Sequence, residues 1–118
     1  MDERDDFGKP DREGFMALLS EPIVQYKGML FRKGSFDQEL INRRLAIKSP
    51  EAVQRERNHT HLFLYAADLS TQRDWAHELE RHWLKRFESD FPKLRVHIER
   101  EDNGQEVIVT LWVCKVTS

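Results

Sequence analysis

The clearest periodicity in the chain lies in its second half. Trp75, Ala76, Leu79, Trp83 and Phe87 fall within about 120° of arc at the helical rotation per residue, the stripe of an amphipathic helix. Ser70 or Thr71 stands at its start as a cap, and the helix is expected to run to Ser89, with Phe91-Pro92 ending it. The segment from His59 to Ala67 reads with a period of two, as a strand. His59, His61, Phe63 and Tyr65 then share one face, and Thr60, Leu62, Leu64 and Ala66 the other. The aliphatic face belongs against the helix, so the histidines are expected on the far side of the sheet.

Residues 94–116 read as a hairpin around Asn103-Gly104. That dipeptide is the favoured type I′ pair, whose two central residues both need positive φ. A two-residue loop sets Leu94 opposite Val113, Val96 opposite Leu111 and Ile98 opposite Val109, a wholly apolar face. The other face carries Arg95, His97, Glu99 and Glu101 opposite Trp112, Thr110, Ile108 and Glu106.

The first half is fainter. Residues 1–12 are charged and lack apolar periodicity, so they are expected to be a disordered acidic lead-in to a single α+β domain over 13–118. Gly14 to Ser20 predicts a short helix that stops before Pro22. Ile23 to Phe31 predicts a weak strand broken at Gly28, followed by a turn at Arg32-Lys33-Gly34-Ser35. Ser49-Pro50-Glu51 is a restart signal, with a cap, a proline at the first helical position and an acid in the first turn. Residues 36–57 are therefore expected to form two short helices.

Strand 59–67, the long helix and strand 94–101 make a strand–helix–strand unit with parallel strands, and the last strand returns antiparallel. The expected fold class is α+β: a two-layer sandwich with a mixed β-sheet in the approximate order βαβαββ, helices mainly on one face, and a C-terminal Asn-Gly hairpin. That order is similar to those of the C-terminal domain of a translation initiation factor and of Alba-like chromatin proteins. The likeness is one of topology and carries no function.

Composition narrows this reading. A chain of 118 residues, 39% hydrophobic and 34% charged, with three Trp and seven Phe, suits one small globular domain. A net charge of −2 provides no overall attraction to nucleic acid or anionic lipid. The charge is uneven, however, and the basic stretch 27–57 makes Arg43, Arg44, Lys48, Arg55 and Arg57 candidate phosphate contacts. A lone Cys114 excludes an internal disulfide and a cysteine zinc cage, and its expected mid-strand position is that of a structural thiol. The opening Asp-Glu-Arg-Asp-Asp is unlike a signal peptide, and no apolar run approaches a membrane span. A cytoplasmic location is expected, without membrane association.

Candidate chemistry centres on His59 and His61. Imidazoles at i and i+2 on one strand can reach one ion, with His97 as a third ligand if its strand lies adjacent. The run His-Thr-His-Leu-Phe-Leu resembles the His-hydrophobic-His strand of rolling-circle nucleases. Thr60 stands where that family has a hydrophobic residue, and the following helix holds no Tyr to attack a phosphate. Phe63, Tyr65, Trp112 and Ile108 on the same expected face point instead to a protein interface. His77 and His82 are read as solvated positions of the long helix. No glycine-rich phosphate loop or Gly-x-Ser-x-Gly elbow is present. The sequence therefore predicts a non-enzymatic interaction domain without a cofactor, self-associating through an aromatic sheet face or binding a partner protein. A nucleic-acid-binding module and a histidine-based metalloprotein are the alternatives.

Overall fold

The structure is a computed structural model that describes residues 9–114. Of the lead-in expected over 1–12, residues 1–8 lie outside the described residues, as do the last residues of the expected hairpin. Helix α1 (Arg12–Leu19) opens on Asp11, whose carboxylate accepts from Gly14 N at 2.9 Å, and buries Phe15, Leu18 and Leu19. Strands β1 (Ile23–Tyr26) and β2 (Met29–Arg32) form an antiparallel hairpin. Helices α2 (Gln38–Leu45) and α3 (Pro50–Arg57) follow, the second capped by Ser49 as expected. Strand β3 (Thr60–His61), helix α4 (Leu69–Asp90), β4 (Val96–Asp102) and β5 (Val107–Val113) complete the described chain.

The fold is α+β, with a two-stranded and a three-stranded sheet, both antiparallel. In the larger sheet the order is β3-β5-β4, so β3 and β4 run in the same direction with β5 between them. The expected strand–helix–strand unit is thus present in direction. Its two strands are not neighbours, and the mixed pairing is replaced by antiparallel pairs because the last strand inserts between them. The order βαβαββ is corrected as well. The segment 23–31, expected as one strand, belongs to the β1–β2 hairpin: Lys27 (φ 52°) and Gly28 (φ 79°) give the two consecutive left-handed residues of a type I′ turn. The topological likeness drawn from that order falls with it.

Helices lie on two sides. Residues of α1 and α4, including Phe15, Leu79, Trp83 and Phe87, pack with Leu30, Val107, Val109, Leu111 and Val113 in the main core. The opposite face of β2 presents Met29 and Phe31 to Ile41 and Val53 of α2 and α3. The stripe predicted for α4 is the buried one, with Gln72 added and Trp75 half-buried and stacked on Phe15 at 4.7 Å. The cap is Asp68 rather than Ser70 or Thr71, its carboxylate accepting from Thr71 N at 2.8 Å.

The C-terminal hairpin forms, two residues out of the expected register: Val96 faces Val113, His97 faces Trp112 and Ile98 faces Leu111. Asn103 is not left-handed; only Gly104 is, at φ 82°. The Asn103 side chain accepts from Gln105 N and Glu106 N, both at 2.9 Å, and so holds a longer loop. A shift of two leaves every side chain on its expected face.

The two sheets meet along a seam built from side chains. Gln54 of α3 and Asn58, the residue that caps the end of that helix, are fully buried where the edges of β2 and β5 approach. Gln54 Oε1 accepts from Leu30 N (3.1 Å) and Val113 N (2.8 Å), and its Nε2 donates to Val113 O (3.3 Å). Asn58 Nδ2 donates to Leu30 O (2.8 Å) and Leu111 O (3.1 Å), while its Oδ1 accepts from Arg32 N (3.1 Å). Two amides thus stand in for the ladder that would otherwise join β2 to β5.

Candidate interaction surface

The outer face of the three-stranded sheet, turned away from α4, carries most of the residues singled out in the sequence. Thr60 and Leu62 are buried on the core side, so His59 and His61 point outward as parity requires. Their rings meet edge-to-face at 6.0 Å, and His61 meets Phe63 in the same way at 5.6 Å. His61 is set opposite Ile108, and its Nδ1 donates to Glu106 Oε1 at 2.7 Å. That carboxylate, an acceptor, places a proton on Nδ1 and fixes the ring. With the expected register Glu106 would have sat within the strand; the longer loop brings it to His61.

Alternation stops after His61. Leu62–Leu64 form a 3-10 turn instead of continuing the strand expected to Ala67. Leu62 is buried, while Phe63 is 49% and Leu64 63% exposed, two large apolar side chains next to each other on the surface. Tyr65 is carried round to the core side, where its ring packs edge-on to Phe15 at 6.2 Å. Its expected place beside Phe63 is therefore corrected.

Trp112 is on the outer face but only 8% exposed. The His97 ring stacks on it at 5.4 Å and 13°, and the Arg55 guanidinium of α3 lies 4.4 Å from its centroid. Arg55 also pairs with Glu99 at 3.3 Å. The indole is covered by its own chain, which removes it from the expected contact set. Phe63 and the half-buried Ile108 remain, joined by Leu64.

The proposed ligand set is not assembled. His97 faces Trp112, four residues along β5 from the Ile108 that faces His61, and β5 separates the strands carrying the two histidines. Among the described residues no group of three or more His, Cys, Asp or Glu side chains is placed to hold a metal ion.

The basic candidates are largely engaged within the chain. Arg44 and Lys48 both reach Glu56, at 3.9 and 3.4 Å. Arg57 donates twice to Ser35 O, at 3.0 and 2.8 Å, and Arg55 serves Trp112 and Glu99. Arg43 is exposed, in a groove with Leu40, Arg44 and a 74% exposed Ile47. These contacts weigh against a shared phosphate-binding face.

A second surface feature is a shallow groove of about 470 Å³ between α1 and α4, lined by Leu19, Asp74, His77, Glu78, Arg81 and His82 among others. Arg12 donates to both Glu78 oxygens, at 2.9 and 2.7 Å, and these bonds hold the Glu78 carboxyl below its ordinary range. Arg86 donates to the carbonyl of Leu19, the last residue of α1, and to that of Glu21 just past it, and lies 3.1 Å from His82 Nε2. Its cation complements the carbonyl end of that helix. Both His77 and His82 are exposed.

Comparison with protein families, with curated proteins and with solved structures gave no match for this chain. No helix among the described residues is long and apolar enough to cross a membrane. The geometry itself carries the functional reading.

Proposed function

We propose that this chain is a small non-catalytic interaction domain that self-associates through its three-stranded sheet. The observation that carries this reading is the state of that sheet. Its inner edge is finished by the buried amides of α3, whereas its outer strand β4 has no neighbour among the described residues. The turn that follows β3 also leaves Phe63 and Leu64 exposed to water. An unpaired strand edge and exposed apolar side chains are each what protein contacts use, and here they lie on opposite sides of the sheet.

The test is mass in solution. Sedimentation equilibrium over a wide concentration range is expected to show a reversible dimer. A chain that remains monomeric at the highest soluble concentration rejects the proposal.

A further inference from the structure

We infer that the self-association just proposed, on which this step rests, pairs β4 antiparallel with β4 of a second copy about a two-fold axis at Ile98. Strand β4 is outermost in its sheet. Cys114 N donates to Arg95 O at 2.8 Å, and Asn103 N donates to Glu106 O at 3.3 Å. In an antiparallel ladder bonded positions alternate with outward ones. The backbone groups of Arg95, His97, Glu99 and Glu101 therefore face β5, and those of Val96, Ile98 and Arg100 face outward. Only registers that set outward positions against outward positions can bond.

Charge chooses among them. With the axis at Ile98, Arg95 faces Glu101 of the second copy, His97 faces its Glu99, and Val96 faces its Arg100. Every charged pair on the outer face is then complementary, and each occurs twice. Moving the axis to Glu99 gives a longer ladder, but Glu99 faces itself and Asp102 faces Val96. Arg95 and Glu101 are exposed, and among the described residues neither is in an ion pair. Charges along an edge ordinarily guard it against foreign strands. This arrangement repels a misregistered partner and accepts its own copy.

The helix side of the edge agrees. A groove of about 140 Å³ there is lined by Leu84, Phe91, Leu94 and Val96 among others, and Leu84 is 50% exposed. A two-fold axis perpendicular to the sheet keeps both α4 helices on one face and sets these apolar edges side by side. The product is a continuous six-stranded sheet with a Phe63–Leu64 turn toward each end.

Sedimentation equilibrium of charge-reversed variants tests the register. Arg95→Glu and Glu101→Arg should each weaken the dimer by roughly tenfold or more, since each sets like charges opposite one another twice. The double variant should recover wild-type affinity, because it restores both pairs with their signs exchanged. In a Cys114→Ser chain, Ile98→Cys should form a disulfide-linked dimer under mild oxidation and Glu99→Cys should not. Phe63→Ser combined with Leu64→Ser should leave the dimer intact. Single reversals without effect, or a double variant no better than the singles, overturn the edge. If only the Phe63 and Leu64 variant dissolves the dimer, self-association stands and the edge is again overturned. A monomeric wild type rejects both.

Discussion

Two strand edges in this molecule are finished in opposite ways. The edge where β5 meets β2 is dry: its N–H and C=O groups end on Gln54 and Asn58, which are fully buried. The edge of β4 faces outward, rimmed by Arg95, Glu99, Glu101 and Asp102, all exposed. An open edge costs little, because water satisfies it. A dry seam is costly to disturb, because a buried polar group stripped of its partner has nothing to replace it. The seam thus bears on whether the chain folds, and the open edge on what it meets.

The largest effect is expected at the seam. Asn58→Ala strands Arg32 N, Leu30 O and Leu111 O together, at a cost of about 3–5 kcal/mol. That is a large share of the roughly 5–15 kcal/mol of a typical domain. Urea denaturation should show a much lower midpoint at unchanged slope. A loss below about 1 kcal/mol would mean that water enters the seam and does the same work.

A smaller step along the same sheet calibrates this. Gln72 of α4 is buried as well, but its Oε1 accepts only from Val107 N, at 2.9 Å, and its Nε2 donates to Ala67 O at 3.3 Å. Gln72→Leu keeps the bulk and should cost about 1–3 kcal/mol, less than Asn58→Ala. If the two variants lose equal stability in the same denaturation experiment, bridging two sheets has no special weight.

These three amides are also what the sequence concealed. A hydropathy pattern displays apolar side chains that share a face, which is why the stripe of α4 and the two faces of the C-terminal hairpin were readable. Gln54 sits in, and Asn58 caps, a helix whose buried apolar side chain is Val53, so nothing in the pattern separates them from solvated positions. Turn chemistry misled in a different way. The type I′ geometry expected at Asn103-Gly104 occurs at Lys27-Gly28, which had read as a break in a strand. Side-chain acceptance by Asn103 lengthened the other loop by an even number, so parity survived although register did not. Parity failed at one place, the 3-10 turn after His61, and took Tyr65 with it. Trp112 lies on the expected face, but its cover includes Arg55, whose basic segment points in sequence to phosphate instead.

The smallest effect separates the two edges by pH. The seam is made of neutral amides and holds no titrating group. The rim of β4 does titrate: Asp102 pairs with Arg73 at 2.6 Å and accepts from Gly104 N at 3.0 Å, which holds its carboxyl below the ordinary 3.8. The Asp68 cap is lowered too, by bonds from the Thr71 hydroxyl and amide. A carboxyl whose folded pKa is depressed contributes stability that is fully present above its unfolded value and disappears as pH falls through its folded value. Arg73→Ala should therefore be slightly less stable than wild type at neutral pH and indistinguishable from it once Asp102 is protonated in both states. The deficit of Asn58→Ala should persist across the same range. Melting temperatures followed downward from pH 7 would decide this. A deficit of Arg73→Ala that stays constant into acid would mean that its stem packs rather than pairs, and the contrast between a titrating rim and a neutral seam would be lost.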